Sequence, residues 1–102
     1  MIEMVFFLIC AHYFADYVLQ SDYLANTKKD SWYNLFAHCI IYTGATMVVF
    51  KILGVFNIIK ALIMLVSHII IDKWKCTKPP KLKYLYIDQS LHLLIIITLA
   101  FL

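Results

Sequence analysis

Four apolar runs fill most of this 102-residue chain, each close to the length that crosses a bilayer: residues 2–20, 32–53, 55–75 and 84–102. A helix rises about 1.5 Å per residue, so about 20 residues span a hydrocarbon core roughly 30 Å thick. Hydrophobic residues make up 64% of the chain, against about 45–50% in ordinary soluble domains, and mean hydropathy is +0.84. A soluble domain of 11.9 kDa buries too small a share of its surface to hide so much apolar material. The expectation is an all-α polytopic membrane protein, with residues 1–102 forming one four-transmembrane-helix bundle.

Polar connections lie at Ser21 to Ser31 and at Cys76 to Lys83, the latter containing Pro79-Pro80. Between the second and third runs, Gly54 and Asn57 are the only breaks, which predicts a tight helical hairpin. Tyr23, Trp32, Tyr33, Trp74, Tyr84 and Tyr86 sit near run ends, where aromatic belts form. An even number of crossings places both termini on one side. The other side carries seven of the nine lysines: Lys28, Lys29, Lys73, Lys75, Lys78, Lys81 and Lys83. The bias of positive charge toward the cytoplasm then makes the first and third loops cytoplasmic and both termini extracytoplasmic.

The N-terminal Met1-Ile2-Glu3-Met4 lacks a positive region, so no cleavable leader is expected. Cys10, Cys39 and Cys76 are odd in number and scattered, which argues against a disulfide framework or a cysteine zinc site and leaves them as packing residues. Because the lysines gather at run ends rather than on a folded basic face, nucleic-acid binding is not expected.

Inside the apolar runs, a histidine and an aspartate stand four residues apart three times: His12/Asp16, His68/Asp72 and Asp88/His92. Residues at this spacing share a helix face, and ionisable side chains at membrane depth are costly and rare. The expected topology puts every one of them in the cytoplasmic half. Three carboxylates cost about 2.5–3.5 kcal/mol each on insertion scales. The chain has no arginine, and its runs hold no lysine deeper than their ends, so protein counter-charges look scarce. A divalent cation would neutralise them, and helix bundles build such sites from inward stripes. The expected ligands are His12, Asp16, His38, His68, Asp72, Asp88 and His92, around one or two ions. Mixed imidazole and carboxylate donors favour zinc, with manganese or iron also suitable. Gln20, Asn34, Tyr42 and Gln89 are expected to support the ligands by hydrogen bonds. The bland alternative is interhelical glue, with polar pairs that merely bind helices together. It weighs most on His38, which lacks an acidic partner on its own run.

The order His12-x-x-x-Asp16-x-x-x-Gln20, His38 with Tyr42, His68-x-x-x-Asp72 and Asp88-Gln89-x-x-His92 resembles the small bacterial and phage membrane proteins of domain of unknown function 3307, over essentially the whole chain. It is more distantly similar to inner-membrane proteins described as metal-dependent hydrolases. That resemblance implies residence in a bacterial inner membrane and strengthens the site residues, but carries no activity of its own. The leading expectation is a metal-dependent membrane hydrolase acting on a phosphorylated lipid or other anionic amphiphile, with Asp16, Asp72 and Asp88 as catalytic carboxylates. Alternatives are a non-enzymatic module with a structural metal, a subunit that pairs with itself or another membrane protein, and a proton- or ion-coupled transporter.

Overall fold

Local chemistry sets the helix ends. Ser21 Oγ accepts from the Leu24 N–H, Ser31 Oγ from the Asn34 N–H, and Asn57 Oδ1 from the Ile59 N–H. Each cap satisfies a donor that the first helical turn leaves without a partner. The computed structural model describes residues 1–102, all in helices and short connections, with no strand. The helices are α1 (Ile2–Tyr13), continuing into a π-helical turn at Phe14–Val18, then α2 (Asp22–Thr27), α3 (Trp32–Ile52), α4 (Ile58–Cys76) and α5 (Leu82–Ala100).

Gly54 and Asn57 do divide the second and third runs. Gly54 takes φ +79° and donates to the Lys51 carbonyl at 3.2 Å, while the Val55 N–H reaches the Phe50 carbonyl at 2.9 Å. This paired closure of a helix end needs one left-handed residue, which glycine adopts at least cost. The first helix ends at Val18, slightly before the expected residue 20, because Ser21 opens a new helix. That short helix, α2, lies where the sequence reads as plain polar loop. Six residues are too few for apolar periodicity to register.

The four long helices run alternately up and down. α1 packs against α3 and α5, and α4 packs against the same two, closing a ring; α2 lies against α3. The molecule measures 37 × 27 × 21 Å. Its interior has two zones. Toward the Gly54 hairpin lies an apolar cluster that includes Leu8, Met47, Phe50, Met64, Ile96 and Leu99. Toward the opposite end the interior holds His12, Asp16, His38, His68, Asp72, Asp88 and His92, all buried.

Polarity is thus inverted relative to a protein folded in water. Only twelve apolar residues are buried, beside nine polar or charged ones, while Ile58, Val66, Ile70 and Leu94 are each more than half exposed. Contiguous apolar surface on this scale marks a contact with lipid or protein. Two helices, Trp32–Ile52 and Leu82–Ala100, are long and apolar enough to cross a membrane.

The two glycines separate backbone strain from packing, since neither has a heavy atom within 4 Å of where a Cβ would sit. Gly54→Ala is expected to destabilise the fold by about 1 kcal/mol through its positive φ alone. Gly44→Ala, inside α3, is expected to stabilise it by about 0.5–1 kcal/mol. Equilibrium unfolding in detergent reads both; equal signs would contradict the hairpin geometry.

Candidate metal centre

The α1 run carries Asp16 inward on its π-helical turn, where the Leu19 N–H bonds back five residues to the Phe14 carbonyl at 3.1 Å. Such widened turns recur at functional sites. Near the start of α3 stands His38, near the end of α4 stand His68 and Asp72, and near the start of α5 stand Asp88, Gln89 and His92. Alternating helix directions bring these positions to one end of the bundle.

Four donor atoms, one from α3, one from the π turn and two from α4, lie close together around the His38 and His68 rings. His38 Nε2 lies 3.3 Å from Asp16 Oδ1 and 3.3 Å from Asp72 Oδ2. His68 Nε2 lies 3.2 Å from His38 Nε2 and 3.9 Å from each of the same two oxygens. A tetrahedral ion with bonds of about 2.0–2.1 Å needs donors about 3.3–3.4 Å apart. One proton on one imidazole cannot serve three acceptors facing a common point, whereas a cation among them can. The donor set could hold a metal ion, with the His38 contacts at the ideal spacing and the two 3.9 Å contacts of His68 wider than it. His68 Nδ1 is buried without a hydrogen-bond partner. Tyr42 stacks on its ring at a centroid distance of 4.0 Å and fixes its plane.

A second network holds the carboxylates in place. Gln89 Nε2 donates to Asp16 Oδ2 and to Asp88 Oδ2, both at 3.0 Å. Gln89 Oε1 accepts from His12 Nε2 at 2.7 Å. An amide oxygen only accepts, so His12 carries its proton on Nε2, and its Nδ1 accepts from the Tyr42 hydroxyl at 2.8 Å. His92 Nδ1 donates to the Asp88 carbonyl at 2.8 Å, which leaves the lone pair on Nε2, a buried atom without a partner. Asp88 Oδ1 is likewise buried without a hydrogen bond, 3.5 Å from His92 Nδ1.

Three groups of buried residues have donor atoms within 4.8 Å of one another: Asp16/His38/His68, Cys39/His68/Asp72 and Asp16/Asp88/His92. His12 stands apart from the expected ligand set, because both its ring nitrogens are engaged by Tyr42 and Gln89. It orients Gln89 instead. Asn34 turns away from the cluster and donates to Thr27 Oγ1 at 2.8 Å, tying α2 to α3. Cys39, read from sequence as packing, brings its sulfur to His68 and Asp72. Its place on the His38/Tyr42 side of α3 was the available signal.

The larger omission is Lys28. Its Nζ lies 3.0 Å from Asp72 Oδ2 and 2.9 Å from Gln20 Oε1, so the counter-charge missing from the helices comes from the loop. Burial pulls the Lys28 ammonium down, but the Asp72 carboxylate more than offsets this by charge and hydrogen bond, holding it above its ordinary value. Gln20 thus acts through Lys28. Asp22 and Asp30, in the same connection, are exposed. A cavity of about 410 Å³ reaches the cluster from this end, lined by Asp16, Asp72 and Asp88 together with Lys28, Lys29, Lys75 and Lys78.

The family model described as "Protein of unknown function (DUF3307)" matches residues 4–102, and the chain belongs to that family. No curated protein and no solved structure matches it.

Removing Gln89 strands three partners, whereas removing the Tyr42 hydroxyl strands one. Each unpaired buried group costs about 1–3 kcal/mol. Tyr42→Phe is expected to lose that amount once, and Gln89→Leu clearly more. Thermal unfolding that ranked Tyr42→Phe as the more damaging would contradict the network.

Proposed function

We propose that this member of the DUF3307 family is a metal-dependent hydrolase of the cytoplasmic membrane, with a divalent ion held by Asp16, His38, His68 and Asp72. The observation that carries the reading is the gathering of Asp16, Asp72 and His68 donor atoms within 3.2–3.3 Å of His38 Nε2, beneath a lysine-lined cavity. Zinc suits these donors best, and manganese or iron also fit. When bound, such an ion polarises a phosphoryl or carbonyl oxygen and makes its water a nucleophile near neutral pH.

The chain's own residues supply the rest. Lys28, Lys75 and Lys78 draw an anionic group into the cavity, and Gln89, held by His12, fixes the Asp16 carboxylate. A phosphorylated lipid or similar amphiphile fits this mouth, since Tyr17 and Leu85 share its lining with the lysines. In hydrolysis, water adds to phosphorus, the ester P–O bond breaks, and the alcohol leaves with the proton that water gives up.

All four long helices cross the bilayer in this reading. The apolar exposure of the bundle, its 37 Å length and the lysines gathered at one end support four crossings, with both termini extracytoplasmic. The apolar zone around Leu8, Met47, Phe50 and Ile96 favours a one-sided site over a transport path. A second reading, a structural ion in a non-enzymatic module, is favoured by the number of donors: four protein ligands fill a tetrahedral shell.

Elemental analysis of detergent-purified protein is expected to find at least one transition-metal equivalent per chain, lost in Asp72→Asn and His68→Ala variants that keep their helicity. Background metal would remove both readings. Turnover of a lipid phosphoester that disappears in the same variants selects the hydrolase, and full metal without turnover selects the structural ion. For topology, Cys76 in a Cys10→Ser/Cys39→Ser background is expected to react with an impermeant maleimide in inside-out vesicles only. Labelling in right-side-out vesicles would reverse the orientation.

A further inference from the structure

Four protein donors fill a tetrahedral shell and admit a reacting molecule only by expansion to five-coordination, yet the cavity ends beside a second donor group. The donor atoms of Asp16, Asp88 and His92 lie within 4.8 Å of one another, and all three residues are buried. Resting on the reading above, we propose that these residues hold a second divalent ion, with the Asp16 carboxylate shared between the two sites, and that the second ion is the one that meets substrate.

Three independent observations carry this. The His92 proton is committed to the Asp88 carbonyl, so Nε2 presents a lone pair with no partner, on a residue only 2% exposed. The Asp88 Oδ1 atom is equally buried and accepts no hydrogen bond, with His92 Nδ1 near it at 3.5 Å. A single neutral amide, that of Gln89, donates at 3.0 Å to both Asp16 Oδ2 and Asp88 Oδ2 and so holds two carboxylates side by side. An amide orients such a pair without neutralising it, and a cation does both. Histidines with one nitrogen fixed by a backbone carbonyl and the other free are the usual form of a metal ligand.

The two sites differ in what they leave open. Three protein donors leave a coordination position free, the pattern of catalytic ions, and Asp16 and Asp88 both line the cavity. Paired ions about 3.5–4 Å apart clamp the attacking and leaving oxygens of a phosphoryl displacement. Charge then selects the ligand. Asp16, Asp72, Asp88 and Lys28 together carry two net negative charges when the histidines are neutral, which one divalent ion cancels. A second ion leaves the donor cluster two positive charges, and with Lys29, Lys75 and Lys78 on the same cavity wall these favour a dianionic phosphate group. The second ion should accordingly bind most firmly with phosphate present.

The test is a Mn2+ titration of the purified full chain in detergent with saturating inorganic phosphate, followed by bound-metal counting and electron paramagnetic resonance. Two manganese ions per chain with an exchange-coupled signal are expected. Asp88→Asn and His92→Gln should each retain one ion with an uncoupled signal, and that retained ion certifies the fold. One ion per chain in the unaltered protein overturns the second site and leaves the first standing; no bound ion overturns both. Two coupled ions persisting in both variants would place the second ion elsewhere and sink the assignment.

Discussion

Carboxylates placed inside an apolar bundle need positive partners, and much of this structure can be understood as the supply of them. Asp72 is met by Lys28 at 3.0 Å, which requires the loop after the first helix to fold back over the bundle end. Helix α2, capped by Ser21 and tied to α3 through Thr27 and Asn34, gives that loop a fixed course. Asp16 and Asp88 have only the Gln89 amide and nearby imidazoles. Every long helix contributes to this cluster, so satisfying its charges also fixes how the helices sit against one another.

In the proposed membrane setting, the same cluster also bears on stability. Between helices in lipid there is little hydrophobic force, because lipid tails are as apolar as leucine. Association then rests on close packing and on polar contacts, each modest. The bundle has both, in separate zones: Leu8, Phe50, Met64 and Ile96 interlock toward the hairpin, and the His/Asp/Gln/Tyr network links α1, α3, α4 and α5 at the other end. Tyr42 joins the zones, buried in the apolar cluster while its hydroxyl donates to His12 and its ring covers His68. A polar core of this kind serves stability and chemistry together, which is why glue and metal site need not be rival descriptions of the same residues.

Packing gives His38 a place its sequence context did not offer. With no acidic partner on its own helix, it read from sequence as the residue most open to a purely adhesive role. In three dimensions it lies between two aspartates from other segments, 3.3 Å from each. His12 moves the other way: paired with Asp16 by spacing, it is occupied at both nitrogens by residues 30 and 77 positions away.

The sequence by itself determined the helical class, the four long segments to within a few residues, the Gly54 hairpin and the gathering of ionisable groups at one end. Those follow from local rules: apolar run length, the left-handed tolerance of glycine, and alternation of helix direction. Packing in three dimensions settles which histidines meet the carboxylates, that His12 and Asn34 turn to other partners, that Cys39 comes near His68 and Asp72, and that Lys28 supplies the missing charge. Helical spacing reports which residues share a face of one helix, but coordination and ion pairing join atoms from different helices, and their distances exist only once the rods are packed.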